Sequence, residues 1–91
     1  MNEELRRLES EIIAKCDAVT TSADLGELID LLIVGLENDL FEYLDLYGYL
    51  TGVGIALMDL DGMYKNQGID IKSVSNWEQI SDAIYCGFIF A

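Results

Sequence analysis

The sequence predicts an all-α fold, a compact array of four or five short helices, with one short extended segment at residues 69–71 as the alternative addition. Three observations predict it. Apolar residues recur at spacings of three and four through most of the 91-residue chain, the chain has no proline, and residues that cap helices precede several apolar runs. A chain of this length supports one domain, so we expect a single acidic helical domain over residues 1–91.

The first helix is expected from Asn2 to about Val19. One apolar stripe carries it, formed by Leu5, Leu8, Ile12, Cys16 and Val19. Acidic residues in its first turn match the helix dipole, and Glu11 and Lys15 are spaced as a favourable i,i+4 ion pair. The helix should end before the threonine pair at residues 20–21.

A second helix should follow Thr21, because Thr21 and Asp24 resemble a capping box with aspartate in place of glutamate. Helical spacing of apolar residues then continues over residues 25–50. A single helix of that length would be long for so small a domain. We expect a break near Gly35 or at Asn38–Asp39, where side chains compete for backbone hydrogen bonds.

The segment from Thr51 to about Tyr64 is predicted to be helical, with a short buried strand at residues 53–57 as the competing interpretation. Residues 65–68 should form a turn. Ser75 and Glu78 match the capping box and open a last helix, which Gly87 should end. The apolar residues 88–91 should dock on the core or on another chain. The predicted core contains Leu8, Ile12, Leu28, Leu32, Leu36, Leu44, Leu57, Trp77, Ile80 and Ile84.

The charge balance is strongly acidic: 17 acidic residues face 5 basic ones and no histidine, for a formal net charge of −12. Such a charge opposes direct binding to nucleic acids and to anionic membranes. A basic protein surface is its natural counterpart. The competing interpretation is that the acidity only keeps an apolar domain soluble.

The acids are concentrated on one predicted helix face. Between Cys16 and Tyr64 the sequence has no lysine or arginine, and at 100° per residue six acids fall opposite the leucines over about 30 Å. These candidate partner-binding acids are Asp24, Glu27, Asp30, Glu37, Glu42 and Asp45. Three neighbouring tyrosines are candidate anchors, because tyrosine is favoured at interface centres: Tyr43, Tyr47 and Tyr49.

Several chemistries are excluded by the pattern. With no histidine, serine and cysteine triads and histidine-bound metals are absent. A calcium loop starting at Asp59 fails at its fifth, sixth and twelfth positions, and the glycines near Gly52 lack the phosphate-loop ending. No carboxylate pair stands out by an apolar setting. We therefore expect no catalytic residue, metal or cofactor. Cys16 and Cys86 are expected to be buried free thiols, with a long-range disulfide between them as the alternative.

These observations predict a cytoplasmic, non-enzymatic protein that binds a basic partner, most simply a nucleic-acid-binding enzyme, by imitating nucleic acid. Short acidic phage antagonists of restriction or CRISPR enzymes share this composition, although no motif supports membership of such a family. An immunity or antitoxin-type protein that neutralises a basic nuclease would use the same physics. The alternative from another class is a structural subunit of a homo-oligomer, for example a homodimer, in which the acidity only confers solubility.

Overall fold

A computed structural model describes residues 2–41 and 45–89, and all their regular secondary structure is helical. The expectation of an all-α fold with four or five helices is confirmed. The helices are α1 (Glu3–Ala18), α2 (Ser22–Glu37), α3 (Leu46–Met58), α4 (Leu60–Asn66) and α5 (Asn76–Ile89), with a 3₁₀ turn at Ile71–Ser73. Within the described ranges no helix combines the length and the apolar composition needed to cross a membrane.

The first two helices begin where their capping residues predicted. The side chain of Asn2 accepts a hydrogen bond from the backbone N–H of Leu5 at 2.8 Å. The hydroxyl of Thr21 accepts one from the N–H of Asp24 at 3.1 Å. Each bond satisfies an N–H group that has no partner within its own helix, so the local sequence sets both starting points.

α2 ends at the second of the two predicted positions, Asn38–Asp39. Asp39 adopts a left-handed conformation with φ of 57°. Its N–H donates to the carbonyl of Leu36 at 3.4 Å, and the N–H of Leu40 donates to that of Gly35 at 2.9 Å. This pair of bonds is the Schellman arrangement, which turns the chain out of the helix while satisfying its last carbonyls.

The segment over residues 51–64 is helical, so the competing strand at residues 53–57 is wrong. α3 runs through it to Met58, and α4 follows after Asp59. The extended alternative at residues 69–71 is also wrong. The carboxylate of Asp70 accepts a hydrogen bond from the N–H of Lys72 at 3.0 Å. The backbone carbonyl of Asp70 accepts one from the N–H of Ser73 at 2.9 Å, which closes a 3₁₀ turn.

α1 and α2 are joined by a short turn and pack together to form the main core, and α5 packs against both. The buried cluster consists of Ile12, Cys16, Val19, Leu28 and Leu32. Ser81 of α5 is fully buried. Its hydroxyl can donate a hydrogen bond to either of two carbonyls, that of Cys16 at 3.1 Å or that of Glu78 at 2.9 Å. This hydroxyl links α5 to α1 without leaving a polar atom unsatisfied.

Small residues form the closest part of the contact between α3 and α5. Ala56 of α3 and Ala83 of α5 are buried together with Cys86. Gly52 and Gly87 are also buried, and a Cβ atom placed on Gly52 would lie 3.2 Å from the Cα of Gly87. The small side chains therefore let the two helix backbones approach closely.

Gly87 was predicted to end α5, and this prediction is wrong because Gly87 is needed inside the helix at the crossing with α3. Ser75 caps the helix as expected, since its hydroxyl accepts from the N–H of Glu78 at 3.2 Å. The helix then continues through Gly87 to Ile89. Gly87 serves as the point of contact with α3, a role that its sequence position near an apolar end does not reveal.

The predicted core was correct in the first two helices except at Leu36, and partly wrong elsewhere. Three residues are buried and two are half-buried against the core: Ile12, Leu28 and Leu32, then Leu8 and Ile84. Four are exposed instead: Leu36, Leu57, Trp77 and Ile80. Leu44 lies outside the described residues. Leu57 faces outward because the small residues of α3 form its contact with α5, which turns the large ones to the opposite side.

Candidate partner-binding surface

The outer face of α2 carries the most open carboxylates of the predicted acidic row. Leu28 and Leu32 point into the core, and Asp30 and Glu37 are exposed on the opposite side of the helix. Within residues 2–41 and 45–89, no lysine or arginine forms an ion pair with either carboxylate. Asp30 and Glu37 are therefore available to a cation from another molecule.

The beginning of the row is compensated by a lysine from the neighbouring helix. Lys15 of α1 forms a salt-bridged hydrogen bond with Glu27, and its Nζ lies 3.9 Å from a carboxylate oxygen of Asp24. The expected pair with Glu11 is not the one that the structure shows. The hydrogen bond to Glu27 raises the pKa of Lys15. Sequence spacing missed this pair because α1 and α2 come together only through the turn that joins them.

Asp24 is engaged in holding that turn. Its carboxylate accepts hydrogen bonds from the N–H of Thr20 at 3.0 Å and from the hydroxyl of Thr20 at 2.9 Å. These bonds lower the pKa of Asp24, and the bond from the backbone N–H of Thr20 has the larger effect. Asp24 therefore stabilises the entry to α2, and it is less available to a partner than Asp30 or Glu37.

The row does not continue along one helix to Asp45, as the helical-wheel prediction assumed. α2 ends at Glu37, and α3 begins at Leu46 as a separate helix. Asp45 caps α3, because its carboxylate accepts from the N–H of Gly48 at 2.6 Å. Asp39, in a left-handed conformation, lies between the two helices, so the acids on either side of it do not share one helical face. Glu42 lies outside the described residues.

The three predicted tyrosine anchors have different positions. Tyr47 is exposed over 83% of its surface and fits the role of a partner contact. Tyr49 does not: its ring meets that of Phe88 edge-on at 4.8 Å between centroids, and its hydroxyl donates to the carbonyl of Ile84 at 3.3 Å. Burial raises the pKa of Tyr49. Tyr43 lies outside the described residues.

A second carboxylate group, which the sequence pattern did not single out, surrounds a cleft of about 290 Å³ between α1, α4 and α5. Asp17, Glu78 and Asp82 line it together with apolar side chains. The hydroxyl of the buried Tyr64 donates to Asp82 at 2.5 Å. This grouping corrects the expectation that no carboxylate pair stands out by an apolar setting. The i,i+4 spacing of Glu78 and Asp82 was the available signal.

Burial and neighbouring negative charge raise the pKa values of two carboxyls of this cleft, Glu78 and Asp82. Burial, followed by the charges of Asp82 and Asp17, raises the pKa of Glu78. Burial and the charge of Asp17 raise the pKa of Asp82, while the hydrogen bond from Tyr64 opposes the rise. Such a group can attract a proton or a cation. Among the described residues, no three carboxylates or thiols are arranged to hold a metal ion.

No protein-family model, no curated protein and no solved structure matches this chain.

Proposed function

We propose that this chain is a non-enzymatic inhibitor that binds a basic protein surface and blocks access of nucleic acid to it. The observation that carries the proposal is the outer face of α2, where Asp30 and Glu37 are exposed and no described lysine or arginine pairs with them. The net charge of −12 adds a long-range attraction to any basic cleft. No catalytic residue, cofactor or metal takes part.

The charge density of α2 defines how much nucleic acid the surface imitates. Asp24 and Glu37 lie about 20 Å apart along the helix axis, and Lys15 neutralises part of the charge between them. One nucleic-acid strand carries a charge every ~3.4 Å, so a strand of that length has about twice as many charges as the row. The row therefore replaces a short stretch of one strand, not a duplex.

The mechanism is competitive occlusion. Lysines and arginines that normally hold phosphates would pair with the α2 carboxylates. The partner class that fits is a nucleic-acid-binding enzyme, such as the restriction or CRISPR enzymes that phage-type antagonists inhibit. A basic nuclease toxin neutralised by an immunity-type protein fits the same chemistry.

An affinity capture from host lysate, eluted in steps of rising salt, tests this proposal. We expect a basic nucleic-acid-binding protein to elute as salt rises and to be displaced by added duplex or single-stranded nucleic acid, since both ligands share one site. The test variant is Asp30→Lys with Glu37→Lys. The matched control is Glu4→Lys with Glu11→Lys, which makes the same charge change at the same spacing on exposed positions of α1.

The α2 variant should lose the captured protein, while the α1 variant should keep most of it. Equal loss in both variants would show that net charge alone matters and would remove the α2 row from the proposal. Lys15→Gln provides a change in the opposite direction, because it frees Glu27 from its partner. It should move elution to higher salt. Absence of any captured basic protein would overturn the proposed function.

A second candidate function is a subunit of a homo-oligomer whose acidity only confers solubility. One specific observation favours it: large apolar side chains of α3 are exposed, among them Leu46, Leu50 and Met58. A contiguous apolar surface of this kind usually marks a site of interaction with another molecule. In this case charge reversal on α2 would leave function intact, while a charge placed on α3 would abolish assembly.

A further inference from the structure

The outer face of α3 has no partner within the described part of the chain. Gly52 and Ala56 face α5 together with Tyr49, and most of the other large side chains of the helix point the other way. The exposed fractions are 73% for Leu46, 83% for Tyr47, 58% for Leu50, 51% for Leu57 and 93% for Met58. At 100° per residue these five residues occupy one continuous side of α3, which we call the α3 outer face.

The α3 outer face is also uncharged. Of the five described helices, α3 alone has no aspartate, glutamate, lysine or arginine between its first and last residue. In a chain with a net charge of −12, this helix is the surface where a second acidic molecule can approach without bringing carboxylates into direct contact. A basic partner, by contrast, would find no carboxylate on this face to pair with.

The size of the face decides what kind of association it supports. With side-chain areas on the order of 150 Å² each, the five residues expose on the order of 500 Å². Two such faces would bury on the order of 1,000 Å² together, which is the lower limit of specific interfaces and typical of reversible ones. The face is therefore large enough for a reversible dimer and too small for an obligate one.

Gly54 gives the face a place for close approach. It stands on the same side of α3, between Leu50 and Met58, and a Cβ atom placed on it would meet nothing within 4 Å. Glycine inside a helix costs about 1 kcal/mol relative to alanine, and no contact among the described residues requires it here. At Gly52 the corresponding close approach is made within the chain, by α5.

We infer that a second copy of this chain covers the α3 outer face, so that two α3 helices cross about a two-fold axis. A self-complementary apolar patch is what such a symmetric interface needs. The inference does not rest on the proposed binding of a basic protein, which uses α2. Both acidic faces stay outside the α3 contact, so a dimer would present two of them.

The salt dependence separates the two associations. Two chains of net charge −12 repel each other, and salt screens that repulsion while leaving apolar contact in place. The dimer should therefore strengthen as salt rises. Binding of a basic protein to α2 should weaken over the same range, because salt screens an attraction there.

Sedimentation equilibrium of the purified full chain, at low and high salt over a wide range of concentration, tests the inference. The wild-type chain should shift from its monomer mass of 10.2 kDa towards twice that mass, and more readily at high salt. Leu57→Glu and Met58→Glu should weaken the dimer more than about tenfold, because each would bury an unpaired carboxylate. Met58 is 93% exposed, so its replacement should change the stability of the fold little.

The matched control is Ile33→Glu, which adds the same charge to α2 at a residue 47% exposed, close to the value for Leu57. It should dimerise like the wild type apart from the effect of one added charge. A wild-type chain that stays monomeric at high concentration and high salt would overturn the inference. A dimer that Leu57→Glu and Met58→Glu leave as stable as Ile33→Glu does would overturn it too. Neither result would affect capture of a basic protein through α2.

Discussion

Gly52 of α3 and Gly87 of α5 face each other where the two helices cross, and a Cβ atom on Gly52 would lie 3.2 Å from the Cα of Gly87. A Cβ on Gly87 would lie 2.5 Å from Cγ2 of Val53 and 2.8 Å from Cε1 of Tyr49. The crossing therefore has room for hydrogen atoms only. It fixes the position of α3, and with it the direction in which the large side chains of α3 point.

Replacing Gly87 by alanine should destabilise the fold in spite of alanine's higher helix propensity. The new methyl group must displace Val53 or the ring of Tyr49, and overpacking of this kind costs about 1–3 kcal/mol. Chemical denaturation measures the change. Gly26→Ala is the control, because a Cβ there meets nothing within 4 Å, and it should stabilise by up to about 1 kcal/mol. Equal stabilisation by both substitutions would disprove the tight crossing.

Asp39 ends α2 in a left-handed conformation that glycine adopts at less cost. Asp39→Gly should therefore raise the free energy of unfolding by roughly 0.5–1 kcal/mol. Asp39→Ala removes the same charge but keeps the unfavourable φ, so it should be less stable than Asp39→Gly. Thermal unfolding of the two variants measures the difference. If alanine proved as stable as glycine, charge and not backbone conformation would be the cause.

The cleft carboxylates should make the fold more stable at mildly acidic pH than at neutral pH. Burial and neighbouring carboxylates raise the pKa of Glu78 and of Asp82 above their ordinary values of 4.5 and 3.8. For a carboxyl with a raised pKa in the folded state, the stabilising contribution is fully present below the unfolded pKa and is lost as pH rises through the folded pKa. The melting temperature should therefore rise as pH falls from neutral through the raised pKa values of Glu78 and Asp82.

Asp82→Asn isolates the cleft from the general charge of the chain. Asparagine can still accept the hydrogen bond from Tyr64, but it carries no charge beside Asp17. It should raise stability at neutral pH by up to about 1 kcal/mol and flatten the pH dependence. Asp30→Asn removes the same charge from an exposed site of α2 and should leave the pH dependence nearly unchanged. A steep pH dependence that survives in Asp82→Asn would assign the effect elsewhere.

The two thiols should be protected in the folded chain. Cys16 and Cys86 are buried and free, and burial raises the pKa of both, that of Cys16 to about 12. Because the thiolate is the reactive form, a disulfide reagent at mildly basic pH should modify them only as fast as the fold opens. Both should react at once in denaturant, which serves as the control. Rapid reaction of one thiol under native conditions would contradict its burial.

Local sequence signals predicted the helices well where the deciding interactions are local. Asn2, Thr21 and Ser75 cap their helices through bonds to residues three positions ahead, so the short spacing is sufficient to place the starts. The break at Asn38–Asp39 is local in the same sense. The end of α5 was mispredicted, because Gly87 packs against Tyr49, Gly52 and Val53 of α3, which lie more than thirty residues away in sequence.

The candidate surface could be predicted only in part. Asp30 and Glu37 follow from helical spacing, because both lie on one helix opposite its buried leucines. The compensation of Glu27 by Lys15 does not, since it joins two helices. The grouping of Asp17 with Asp82 likewise depends on how α1 packs against α5.

The sequence by itself determined that the chain is helical, where most of its helices start, and that it is strongly acidic, because these properties depend on residue type and on neighbours within one or two turns. Only the tertiary structure decided which side of α3 is buried. Hydrophobicity favours burying Leu50 and Leu57, but Gly52, Ala56, Ala83 and Gly87 allow a closer approach of two helix backbones. Close packing of small residues therefore set the core at this crossing and left the leucines outside.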